Sequence, residues 1–236
     1  MSLSYMDIRE QICDVCYKMW QRGIVAANDG NVSVKLEDGS VLCTPTGISK
    51  SLIKPEMLVR TDMEGNVLEA AEGYRPSSEM KMHYRCYTER EDVGAVVHAH
   101  PPVATTFAAA NIALDDYCVM ENIVNTGAVP VVPFATPSTD EVPEAVAPYL
   151  ENHDAMLLAN HGALTVGPNL TAAYYKMESV EQYAKTSLYL KILGVSKDME
   201  PKDIDTLIGL RERYHITGRH PGYVKYNQLE KVEDRR

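Results

Sequence analysis

The segment 94-GAVVHAHPP-102 runs apolar and β-branched up to its first histidine, then halts at a proline pair. A buried strand has that composition, and proline cannot continue its hydrogen-bond ladder. Alternate strand side chains project from one face, so His98 and His100 point the same way. Val97 and Ala99 then point into the opposite layer. Two imidazoles roughly 7 Å apart at the Cβ level can close on a single cation.

Outward from this strand, residues 4–25 predict an amphipathic helix in which Ile12, Val15, Cys16, Met19 and Trp20 share a stripe. NVSVKL, the turn EDGS and VLCT follow as short strands, with TPTGISKS as a loop. LVRTD and NVLEA flank a hairpin turn at residues 63–66. Ser77 and Ser78 are N-cap types for a helix that runs to about Arg90. Past Pro101-Pro102 a small-residue helix is expected, then an extended, irregular stretch over 112–136. Pro137 to Asp140 cap a helix to Leu150, and AMLLAN and ALTVG are strands around His161-Gly162. A long helix covers 169–193, a last one 201–215, and residues 216–236 read as a polar tail free to move. No repeat, low-complexity tract or linker divides residues 1–236. The expectation is one α/β domain, a three-layer sandwich with a mostly antiparallel central sheet covered by helices.

Of the 236 residues, 45% are hydrophobic, enough for one well-buried core. The net charge of −10 argues against nucleic acid or an anionic membrane as the main partner. It leaves room for an anionic small substrate at a locally positive site. The five cysteines are scattered, and neither a secretory signal nor a membrane-length apolar run is present, which predicts a cytoplasmic protein. Cys13 and Cys16 form C-x-x-C but lie on the first helix's apolar stripe with no second pair to complete four sulfur ligands. They are read as core.

Three segments are rich in small hydrogen-bond donors: Gly30-Asn31, Thr46-Gly47 and Ser77-Ser78. Glycine admits close approach of the backbone, the side chains add donors, and a helix N-terminus favours an anion. Each pair alone is what an ordinary turn or cap contains. His161 interrupts an apolar strand, LLANHGALTVG, with a polar break that a plain core strand would not need. Together with His98, His100 and Glu79 it offers three imidazoles and a carboxylate, a donor set suited to zinc or another first-row divalent ion. His83 lies one helical turn after Glu79 and is assigned a supporting or packing role. His153 is placed in a surface turn, and His215 and His220 in the tail.

In chain order, GNVSV (30–34), TPTGI (44–48), PSSE (76–79), VVHAHPP (96–102) and LLANHGALTVG (157–167) resemble the class II aldolase and adducin family, in particular its fuculose-phosphate aldolases. The resemblance implies one zinc ion per subunit on Glu79, His98, His100 and His161. It implies substrate phosphate on Gly30, Asn31, Thr46, Gly47, Ser77 and Ser78, with Glu79 as acid/base. It further implies a homotetramer with sites at subunit interfaces. The activity implied is reversible cleavage of a ketose 1-phosphate to dihydroxyacetone phosphate and an aldehyde through a metal-stabilised enediolate. A tyrosine from the neighbouring subunit would protonate the aldehyde oxygen. Tyr117 is the candidate, with Tyr223 or Tyr226 of the tail as the residue closing over the site.

The alternatives are a ribulose-phosphate 4-epimerase, to which Asp116-Tyr117 is similar, and a non-catalytic adducin-like module. Epimerases carry Asp where Glu79 stands and a K-P-S-G-like loop where this chain has Thr44-Pro45-Thr46-Gly47. Adducin-like modules lose metal ligands, and here all four are present.

Overall fold

A computed structural model of the protein describes residues 3–226. Ser4 opens α1 (Tyr5–Gln21) with a capping box, its hydroxyl accepting from the Asp7 N–H while the Asp7 carboxylate accepts from the Ser4 N–H. The strands are β1 (Asn31–Lys35), β2 (Val41–Cys43), β3 (Val59–Thr61), β4 (Val67–Glu69), β5 (Ala95–Ala99), β6 (Val131–Val132), β7 (Ala155–Leu158) and β8 (Gly162–Gly167). The remaining helices are α2 (Met80–Glu89), α3 (Pro102–Ala109), α4 (Met120–Asn125), α5 (Glu141–Leu150), α6 (Leu170–Leu193) and α7 (Pro201–Arg213). The strands form one sheet in the order β4-β3-β2-β1-β5-β8-β7-β6. Neighbours pair antiparallel except β6 on β7.

Helices cover both faces, giving the expected three layers. Ala95, Val97 and Ala99 pack with α1, α3 and α6 through Ile12, Cys16, Phe107, Met177 and Val180. Val96, Leu164 and Val166 pack with α2 and α5 through Met82, Cys86, Val146 and Leu150. Fully burying such a side chain is worth roughly 1.5–3 kcal/mol. A slip of β5 by one residue would drive His98 into the apolar α6 layer, so this patterning holds the register. His98 lies opposite Asn31 of β1 on one side and Leu164 of β8 on the other.

Several local expectations change. Trp20 is 44% exposed rather than part of the α1 core stripe, while Cys16 is buried as expected. The stretch 112–136 holds α4, strand β6 and a bridge between Leu114 and Val129. His153 is buried rather than on a surface turn, with a ring nitrogen on the Tyr149 carbonyl and the other on the Tyr226 hydroxyl. Residues 216–226 lie against the body: Arg211 donates to the Thr217 and Gly218 carbonyls, and the Tyr226 N–H donates to Asp115. Residues 227–236 of the expected tail lie outside the described residues.

Candidate metal centre and anion site

β5 delivers His98 and carries the chain on to His100, and the turn between β7 and β8 delivers His161. That turn needs Asn160 at a positive φ of 58°. It needs glycine at 162 because a Cβ there would sit 2.4 Å from the Ala99 carbonyl oxygen and 2.6 Å from the His100 ring. Gly30 is required for the same reason on the other side, since its Cβ would lie 2.8 Å from the His98 carbonyl oxygen.

The three histidines converge, with candidate ligand atoms all within 4.8 Å of one another. His98 Nε2 and His100 Nε2 are 3.2 Å apart, close to the edge of about 3.4 Å in a tetrahedron with ~2.1 Å bonds to nitrogen. His98 Nδ1–H donates to the Ala163 carbonyl at 2.9 Å, which fixes the tautomer and leaves the Nε2 lone pair facing the cluster. His100 Nδ1 stands 3.5 Å from the Asp29 carboxylate. Glu79 closes the group, with Oε1 3.0 Å from His161 Nε2 and Oε2 3.7 Å from His98 Nε2. Burial pushes His98 down to about 3, with the neighbouring imidazoles adding to this and Glu79 opposing it. His100 is likewise lowered, first by burial and then by His161. Imidazoles held neutral present lone pairs with little competition from protons, as a divalent cation requires. Burial disfavours ionised Glu79, but hydrogen bonds from His161 and the Asn31 amide favour it, and the carboxyl is held well below its usual range. Three converging nitrogen donors, with a carboxylate beside two of them, therefore fit a zinc-like ion.

Behind Glu79 runs a buried chain of hydrogen bonds. Asn31 Nδ2 donates to Glu79 Oε2 at 2.7 Å, so Asn31 Oδ1 faces the other way and accepts from His83 Nε2–H at 2.6 Å. His83 Nδ1 then accepts from the Ser33 hydroxyl at 2.7 Å, and Ser33 Oγ accepts from the Tyr87 hydroxyl at 2.7 Å. Each donor has one available acceptor, so the order fixes every proton. Burial pushes His83 down to about 4 against the pull of Glu79, which keeps the imidazole neutral and this order intact. His83 thus supports Glu79 through Asn31 rather than touching the metal cluster.

The three small-residue segments meet here. The Thr46 N–H donates to the Arg75 carbonyl at 3.0 Å, and Pro45 bridges to Pro76, laying Thr46-Gly47 beside Ser77-Ser78. Thr44 is tied to Val32 through backbone and side chain, which brings in Gly30-Asn31. The N-cap of α2 is Glu79 rather than a serine. The Ser77 hydroxyl accepts from the Glu79 N–H at 3.3 Å, and Ser78 pairs with Ser138 at 2.7 Å. Ser77 and Ser78 therefore hold the turn into α2, and the Glu79 carboxylate is directed into the cluster.

Tyr117 lies elsewhere, fully buried beside Ile123, Ala128 and Ile204. Its hydroxyl donates to the Val224 carbonyl and accepts from the Val224 N–H, each at 2.8 Å. Tyr223 stacks edge-on against it with ring centroids 4.7 Å apart, and Tyr226 meets His153. Within one chain, these three tyrosines form a tail-docking cluster.

Residues 10–188 match the family described as Class II Aldolase and Adducin N-terminal domain. The L-fuculose phosphate aldolase of Escherichia coli K12 is 32% identical over 211 residues, covering 89% of this chain and 95% of that protein. A 3-oxo-tetronate 4-phosphate decarboxylase of Pectobacterium atrosepticum is 32% identical over 182 residues, covering 75% and 82%. The solved structure of an L-fuculose 1-phosphate aldolase superposes with a TM-score of 0.81 at 30% identity, covering 91% of this chain and 99% of its own.

Proposed function

The chain belongs to the class II aldolase and adducin family, and from that premise we propose that it is a zinc-dependent aldolase acting on a ketose 1-phosphate, with dihydroxyacetone phosphate and an aldehyde as products. The observation that carries this proposal is the double attachment of Glu79. One oxygen faces His161, while the other is held by the Asn31 amide. The Asn31 contact leaves the carboxylate held at the site when its other oxygen turns away from His161, the freedom that a proton-transferring ligand requires.

His98, His100 and His161 would hold the ion, with Glu79 as the fourth donor. When bound, the cation supplies Lewis acidity toward substrate oxygens, lowering the cost of negative charge beside the bond that breaks. Glu79 then takes or returns the proton at the carbon next to the carbonyl, kept in reach by Asn31 when it turns away from His161. Gly30-Asn31, Thr46-Gly47 and Ser77-Ser78 bind the phosphate and fix the substrate's register, converting remote binding energy into orientation. The proton for the aldehyde oxygen comes from Tyr117 of a neighbouring subunit in a homotetramer, once the tail has left its hydroxyl. An epimerase is disfavoured because the acidic residue at the start of α2 is Glu79, where the epimerases carry Asp.

The test is incubation of the zinc-loaded protein with dihydroxyacetone phosphate and a panel of aldehydes, with and without chelator. Chelator-sensitive formation of a ketose 1-phosphate is expected. No condensation and no solvent exchange of the dihydroxyacetone phosphate protons with full metal content would overturn the assignment.

A further inference from the structure

The segments expected to hold the phosphate supply neutral donors: glycine N–H groups, hydroxyls and one amide. The nearby formal charges on the protein, Glu79 and Asp29, are negative. A buried cation lies against two of these segments. Lys50 is 1% exposed, and its ammonium donates to the Asn28 carbonyl at 3.1 Å and the Ile48 carbonyl at 3.2 Å. Asn28 is two residues before Gly30, and Ile48 directly follows Gly47. The ammonium thus joins the two loops expected to hold the anion. Among the described residues no carboxylate lies within ion-pair distance of it. A buried ammonium with only two carbonyl partners is costly to the fold, since carbonyl dipoles do not replace a counter-charge.

We propose that Lys50 is the fixed positive charge of the anion pocket, tying its two loops together and pairing electrostatically with the substrate phosphate. This rests on the phosphate-binding role proposed above for Thr46-Gly47 and Gly30-Asn31. Lys50 acts as a positioning residue, because its contacts are to loop backbone. Its burial also disfavours the charged form, a penalty that a bound dianion relieves. Asp29 and Glu79 offset part of that penalty from beyond ion-pair distance, and a bound phosphate adds the rest.

The experiment uses inorganic phosphate as the probe on the full zinc-loaded chain, read by calorimetric affinity and by the phosphate-induced rise in melting temperature. Wild type, Thr46→Val, Lys50→Met, Lys50→Gln and Lys50→Arg are compared. Wild type should be stabilised by phosphate, as any ligand of the native state stabilises it. Lys50→Met and Lys50→Gln should bind phosphate about tenfold or more weakly, the loss expected of one partly screened charge. Lys50→Arg should retain most of the affinity. Glutamine, one bond shorter, keeps neutral N–H donors beside the two carbonyls without the charge, and serves if the methionine variant fails to fold. Wild-type phosphate affinity in Lys50→Gln, with Thr46→Val impaired, would overturn the role of Lys50 and leave the phosphate site standing. No effect of phosphate on wild type would overturn both.

Discussion

Replacing His83 by leucine should disconnect Glu79 from the interior without touching any proposed metal ligand. The substitution removes the donor 2.6 Å from Asn31 Oδ1 and the acceptor 2.7 Å from the Ser33 hydroxyl, both buried. Each polar group left unpaired costs about 1–3 kcal/mol, so a loss of about 2–6 kcal/mol in stability at neutral pH is expected, less what the apolar side chain regains. The larger consequence is orientational. His83 Nε2–H accounts for the Asn31 carbonyl pointing inward and its amino group pointing at Glu79. Without it the amide can turn over, and Glu79 loses a charge-assisted bond worth about 1.5–3 kcal/mol. At about 1.4 kcal/mol per decade, proton transfer at the substrate carbon should slow about ten- to a hundredfold. His83→Gln, whose amide can donate to Asn31 and accept from Ser33, should recover much of this.

The same residue carries a pH signature of defined sign. Its folded value is about 4 against an ordinary 6.5, so the unfolded chain binds the proton more readily. Stability is unaffected by His83 above pH 6.5 and falls as the pH drops from 6.5 toward 4. The total is about 3 kcal/mol at about 1.4 kcal/mol per pH unit. Urea melts across this window should show that slope in wild type and a shallower one in His83→Leu and His83→Gln. Deuterium exchange into dihydroxyacetone phosphate, run beside a zinc assay, reads the catalytic part. Wild-type exchange in a zinc-loaded His83→Leu protein would show that Asn31 needs no partner to hold Glu79.

Glu79→Gln should keep much of its metal on three histidines yet lose proton exchange; exchange at the wild-type rate would leave Glu79 a ligand only. His98→Ala, His100→Ala and His161→Ala should each strip the metal and abolish activity with the fold intact by circular dichroism, and full activity in His161→Ala would remove it from the ligand set. Tyr117→Phe leaves the Val224 N–H and carbonyl unpaired, at a cost of about 1–3 kcal/mol. It should speed proteolysis of the tail and slow aldol condensation while sparing proton exchange, and condensation at the wild-type rate would eliminate Tyr117 as proton donor.

Legibility in this chain follows the range over which each feature is determined. β5 could be read because its apolar run, its alternation and its proline stop lie within nine residues. His161 stood out because a polar break in an apolar strand demands a reason. α4 could not be read, being six residues long with no side-chain cap. The serines before α2 look like caps from their composition, but the carboxylate that follows them is drawn into the cluster, and that pull comes from another part of the chain. The support role of His83 was visible only as a spacing from Glu79. Its partner Asn31 is 52 residues away, and β1 pairing with β5 is what brings that amide to the site. Nothing in the sequence around Lys50 sets it apart, since its meaning depends on two loops closing around it.

Asn31 shows what a short motif hides. The glycine-asparagine pair suggests a phosphate ligand, whereas the fold gives the amide a second attachment, to Glu79. These assignments do not compete, because the Asn31 amino group has two hydrogens and the contact with Glu79 uses one. The carbonyl end is held by His83, so the second hydrogen has a set direction rather than a free choice. A phosphate accepting it would hold the amide in the orientation that keeps Glu79 anchored. Binding of the remote anion and placement of the base would then share one planar group. Asn31→Ala should accordingly impair phosphate binding and proton exchange together, whereas Thr46→Val should impair phosphate binding alone. Loss of phosphate affinity in Asn31→Ala with exchange at the wild-type rate would sever the two.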